Sequence, residues 1–239
     1  MAIQKDVILT GRIGNLIFYK RNGKYCSRAV PDRVRQTKPT KARAKEFGKA
    51  SSLAKAIRQQ LLPVIPFPTD NKMQTRLITA VFEWLKEAGS SRTERVSKLY
   101  LIEGFQFTTE GNEMLKRWKT SPVISIPAAG VLEIKIPPFI PDKSIVAPAN
   151  TESVILKISA GSCHPETGMA TANSSTALLL NYDSKPVAAQ TIVLEFSMPR
   201  GSLVVAGASL VYTVAKNKKL QLNANKSFMP AGIIAAMYI

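Results

Sequence analysis

The chain has 239 residues, 45% of them hydrophobic, a mean hydropathy of zero and a formal net charge of +17 at pH 7. That length can bury one large or two modest cores, and the apolar content is too high for a disordered chain. No run reaches the roughly 18 apolar residues that span a bilayer, and the polar opening Met1-Ala2-Ile3-Gln4-Lys5-Asp6 lacks the apolar core of a signal peptide. A cytoplasmic or particle-associated protein without a membrane span is therefore expected.

The charge is unevenly placed. Residues 1–50 hold 13 Lys/Arg against 3 Asp/Glu, and residues 51–100 hold 8 against 4. The remaining stretches, 101–150 and 151–239, hold 5 against 5 and 7 against 4. An excess concentrated in the first hundred residues suits a segment that meets a polyanion, or else a solvated, solubilising face.

The chain opens with β-prone runs at Val7–Leu9, Leu16–Lys20 and Tyr25–Arg28. Asn22-Gly23 between two of them predicts a hairpin, because both residues tolerate the positive φ of a type I′ turn. Gly11-Arg12-Ile13-Gly14 is too short for a nucleotide-binding fingerprint, is not followed by a helix, and marks a tight bend. Pro31 and Pro39 bracket an extended basic connector.

From Thr40, read as an N-cap, Phe47, Ala50, Ala54, Ile57 and Leu61 recur at helical spacing, with lysines and arginines on the other faces. Pro63, Pro66 and Pro68 end that helix. A second helix is expected from about Asp70, with Met73, Leu77, Val81, Trp84 and Leu85 on one side and Gly89 as its stop. Residues 99–118 carry both a strand pattern (Leu99, Leu101, Phe105, Phe107) and a helical one (Met114, Leu115, Trp118).

Beyond Ser121, short β-branched runs alternate with Pro, Gly, Asn and Ser. Strands are expected at Val123–Ile126, Val131–Ile136, Val154–Ala160, Ala177–Tyr182, Thr191–Met198, Leu203–Val205, Ser209–Val214 and Ile233–Tyr238. Val131-Leu132-Glu133-Ile134-Lys135-Ile136 alternates as a strand with one wet face does. The expected fold class is α+β: a hairpin with two helices over 1–120, then an antiparallel sandwich, Ig-like or jelly-roll-like, over 121–239.

No metal or cofactor set is visible. Cys26 and Cys163 are too far apart for a zinc tetrad and read as free thiols or as one long-range disulfide. His164, the one histidine, follows Cys163, but neighbours on an extended chain point apart, so a loop position is expected rather than a nucleophile and base. A carboxylate pair meeting in space is not legible in sequence, and no small-molecule substrate is inferred.

The candidate site is the cluster Lys20, Arg21, Lys24, Arg28, Arg33, Arg35, Lys38, Lys41, Arg43 and Lys45, with Phe18, Tyr19 and Tyr25 beside it. Such a set can neutralise phosphates while a ring stacks on a base, without reading sequence. The rings are equally natural sheet residues.

The stretch Gly11-Arg12-Ile13-Gly14-Asn15-Leu16-Ile17-Phe18-Tyr19, followed by Gly23-Lys24, Arg28 and Pro31, resembles the opening of an uncharacterised family abundant in Bacteroidota genomes. The likeness implies a hairpin, a basic helix and a β-rich second half, and brings no activity with it. The expected function is that of a non-enzymatic structural or assembly protein, a subunit of a phage, phage-like or other large particle. Its contacts would be with itself or other subunits through strand edges, including the apolar terminus Ile233–Ile239 unless that is a core strand. An electrostatic nucleic-acid-binding accessory protein is the alternative.

Overall fold

A computed structural model describes residues 3–5, 8–31, 36–67, 70–87, 91–108, 113–216 and 219–239. Two compact units result, Met1–Ala44 and Lys45–Ile239. The sequence reading divides the chain at 120/121 instead. The helices between 45 and 120 are packed into the second unit, which is why the division falls earlier.

In the first unit, β1 (Ile3–Lys5), β2 (Ile8–Ile13), β3 (Leu16–Arg21) and β4 (Lys24–Ala29) form an antiparallel sheet in chain order. Asn22 and Gly23 make the β3–β4 turn with φ of 50° and 81°, the conformation expected of a type I′ pair. A second tight turn, Gly14-Asn15, joins Ile13 to Leu16; Gly14 has φ of 54°, the first-position glycine of a II′ turn.

The helix expected from Thr40 starts earlier, as α1 (Lys38–Gln60). Thr37 is its cap. The Thr40 backbone N–H donates to Thr37 Oγ1 at 3.4 Å, and the Lys41 N–H donates to the Thr37 carbonyl at 3.0 Å. Pro39 is accommodated because the first helical turn has no internal acceptor for its missing N–H.

In the second unit, α1 buries Ala50, Leu53, Ala54, Ala56 and Ile57, joined by Leu61 just beyond it, in one cluster with α2 (Met73–Glu87), whose Met73, Leu77, Val81 and Trp84 are also buried. The same cluster takes in Leu203, Val205, Ala231 and Ile233 from the strands. Phe47 stays 54% exposed, its ring centroid 6.4 Å from that of Phe82.

The strands are β5 (Val123–Ala128), β6 (Val131–Ile136), β7 (Thr151–Cys163), β8 (Ser174–Asn181), β9 (Gln190–Glu195), β10 (Leu203–Lys216), β11 (Lys219–Leu222) and β12 (Ala231–Tyr238). They form a three-stranded antiparallel sheet, β5-β6-β9, and a five-stranded one in which β10 pairs β7 on one side and β11 and β12 on the other, with β8 outermost beyond β7. A second cluster joins Leu132, Ile134 and Leu194 of the small sheet to Val154, Leu156, Val204 and Leu210 of the large one. The large sheet is thus covered by helices on one face and by strands on the other, so much of β7 and β10 is buried without alternation.

Expected strands Leu203–Val205 and Ser209–Val214 are one continuous strand, β10. Gly207 in its middle lies under the residues that follow α1, where an added Cβ would stand 3.1 Å from Val64 Cγ2 and 3.2 Å from Leu61 Cδ2. The terminal strand β12 is internal. It pairs β10, and its other edge exchanges backbone bonds with Gly104, Phe105 and Phe107. Of the two patterns in 99–118, the extended one holds at 104–107 and the helical one at α4 (Met114–Arg117), after a further helix, α3 (Arg92–Ser97). Among the described residues no helix is long and apolar enough to cross a membrane.

Candidate polyanion-docking surface

Side chains directly opposite one another in an antiparallel ladder share a face, and the next residue along turns to the other. The register pairs Arg12 with Ile17 and Ile17 with Arg28; Tyr19 with Cys26; and Arg21 with Lys24. Arg12, Tyr19, Arg21, Lys24 and Arg28 therefore lie on one face. The four cations are exposed and Tyr19 is half-buried. Ile13, Leu16, Phe18, Lys20, Tyr25 and Ala29 occupy the opposite face.

The face is organised in cross-strand rows. Strand spacing of about 4.8 Å puts Arg12 and Arg28 roughly 10 Å apart at the backbone, and a rise of about 3.3 Å per residue puts the Arg21–Lys24 row some 13 Å away. Tyr19 lies between the rows. Its ring has the Arg28 guanidinium 5.9 Å from the centroid, and Arg12 Nε donates to the Gly14 carbonyl at 3.0 Å, which steers that guanidinium. Residues 8–31 contain no Asp or Glu, so no acid of this stretch offsets the field.

The ten predicted residues are not brought together as one patch. Arg21, Lys24 and Arg28 share the face just described, and Lys20 sits on the other with its Nζ 5.3 Å from the Tyr25 ring centroid. Arg33 and Arg35 lie outside the described residues. Lys38, Lys41 and Arg43 are exposed on the first turns of α1 in the first unit, and Lys45 is exposed at the start of the second. Arg12, which the charge cluster of the sequence leaves out, joins this face through the register. The turn chemistry of Gly14-Asn15 could have signalled it, since a two-residue turn there sets Arg12 opposite Ile17.

The Cys163-His164 neighbours are separately engaged. Cys163 Sγ donates to the Leu203 carbonyl at 3.5 Å, and burial pushes its thiol up to about 12. His164 Nδ1 accepts from the Glu166 backbone N–H at 3.3 Å. Neither cysteine is in a disulfide. The tightest polar cluster of the second unit is close by: Glu166 takes Lys49 Nζ at 2.6 Å and Arg95 at 2.5 Å, and Arg95 also donates to the Tyr238 hydroxyl at 3.0 Å. The bonds from Lys49 and then Arg95 hold the Glu166 carboxyl below the usual carboxylate range. Burial lowers the Arg95 guanidinium, but its bonds to Glu166 and Tyr238 outweigh that and raise it. This cluster ties α1, α3 and β12 to the turn after β7.

The arrangement defines an α+β protein with a basic, acid-free sheet at its start and antiparallel sheets in its second half. No family model, curated protein or solved structure matches the chain.

Proposed function

We propose that this is a non-enzymatic structural or assembly protein, in its most specific form a subunit of a phage-like or other large particle, whose basic N-terminal region docks on an acidic partner. The observation that carries the reading is the N-terminal sheet itself: among its described side chains, residues 8–29, none is fully buried, and Ile13, Leu16 and Tyr25 are exposed. A small sheet gains its stability by covering an apolar face, so one whose apolar side chains are at most half-buried is suited to being covered by something else. Its exposed Ile13, Leu16 and Tyr25 supply apolar area on one face while the arginines supply charge on the other.

The second unit serves as the body of the subunit. The cluster shared by its two sheets supports a sandwich, Ig-like or jelly-roll-like, and its outer strands leave Val123, Leu179 and Val193 exposed, as edges that contact neighbouring subunits do. The test is the native mass of the purified chain over a hundredfold concentration range, before and after nuclease. The expected result is a species larger than the 26.1 kDa chain that grows with concentration and survives nuclease. A strict monomer throughout removes the assembly reading.

A further inference from the structure

We propose that the acidic partner of the N-terminal sheet is single-stranded nucleic acid, bound on the face that carries Arg12, Tyr19, Arg21, Lys24 and Arg28. The proposal rests on the docking reading above and names its ligand. Four exposed cations stand in two rows about 13 Å apart, Arg12 and Arg28 about 10 Å apart in one and Arg21 and Lys24 about 5 Å apart in the other, by strand spacing and rise, with an aromatic ring between the two rows. An acidic protein surface needs only the cations. The ring adds a requirement for a flat, unpaired partner, because an aromatic side chain can stack on a base only when that base has left its duplex.

The chemistry of the cations agrees. Three of the four are arginines, whose planar fork matches phosphate oxygens in pairs. Arg28 beside the Tyr19 ring keeps a cation within reach of the phosphate flanking a stacked base. Nothing in the set offers a pattern of donors and acceptors for base edges, so recognition is of backbone and π-face, tolerant of sequence.

The face assignment gives a sharp control, because Lys20 and Arg21 are adjacent in sequence and opposite in space. Binding of the full chain to a fluorescent thymidine oligonucleotide is titrated by anisotropy at several salt concentrations. Each phosphate neutralised on a single strand contributes about 0.7 to the slope of log affinity against log salt. Arg21→Ala with Lys24→Ala is expected to reduce the slope by about 1.4, while Lys20→Ala leaves it unchanged. Tyr19→Ala is expected to weaken binding about tenfold with little change of slope, and Tyr19→Phe to restore it, which separates stacking from a misfolded sheet.

Equal loss of slope from Lys20→Ala and Arg21→Ala would overturn the proposal, since the charge would then act diffusely. So would duplex bound as tightly as the single strand with no effect of Tyr19→Ala. If the oligonucleotide fails to bind but polyglutamate binds and is lost with Arg21→Ala and Lys24→Ala, the ligand assignment falls and the docking reading stands. If neither polyanion binds, both fall.

Discussion

Gly168→Ala probes the junction that holds the turn after β7 against α1. Gly168 has φ of +65°, and a Cβ built on it would meet Ser52 of α1 at 2.8 Å from its Cβ and 2.9 Å from its backbone carbon. Two costs follow. The left-handed conformation costs an alanine about 1 kcal/mol relative to glycine. Overlap with a helix backbone that is fixed by its own hydrogen bonds adds about 1–3 kcal/mol. The expected loss is about 2–4 kcal/mol, or roughly 5–15 °C of Tm for a unit of this size.

Gly104→Ala isolates the first cost, because Gly104 has φ of +80° with nothing within 4 Å of the added Cβ. That variant should lose only about 1 kcal/mol. Urea unfolding of both variants, with m unchanged, reads the difference directly. If Gly168→Ala costs no more than Gly104→Ala, the turn does not rest on α1 and the placement of Glu166 beside Lys49 and Arg95 is wrong.

Two further outcomes follow from the same region. The carboxyl of Glu166 is depressed in the folded chain, so its contribution is complete above the unfolded carboxylate range and is lost as pH falls through the folded value. With the side chain 43% exposed, screening limits this to about 1 kcal/mol. Thermal melts of Glu166→Gln should therefore show a flatter fall in Tm below pH 5 than the parent, and parallel curves would refute the bridge. Cys163, fully buried with its thiol pushed up to about 12, should resist a thiol reagent at pH 8 that reaches the half-buried Cys26, so that one thiol per native chain reacts. Equal rates at the two cysteines would contradict the burial.

Local chemistry was legible where a residue type admits few conformations. Asn22-Gly23 announced its hairpin, and the alternation of Val131–Ile136 announced β6 with its core face Leu132, Ile134 and Ile136. What failed to show was long-range. Ala206-Gly207-Ala208 carries no strand signal, because the glycine there answers to Leu61 and Val64, just after α1, rather than to the pleat. Ile233–Tyr238 reads the same whether its second edge is free or, as found, satisfied by residues 104–107. The basic cluster was visible as composition. Its division between two faces was also implicit in the period of two, since Lys20 and Arg21 cannot point the same way on one strand, whereas the place of Arg12 required the register of the Gly14-Asn15 turn.

The claim that the N-terminal sheet is a docking element is tested most directly by amide hydrogen exchange of the whole chain, alone and with saturating oligonucleotide or polyglutamate in separate runs. Because no described side chain of the sheet is more than half-buried, its amides over residues 16–29 should exchange at least about a hundredfold faster than those of the buried strands β7 and β10, and should gain protection with one of the polyanions. Amides in 16–29 already as slow as those of β10 in the free chain, or unmoved by either polyanion, would contradict it.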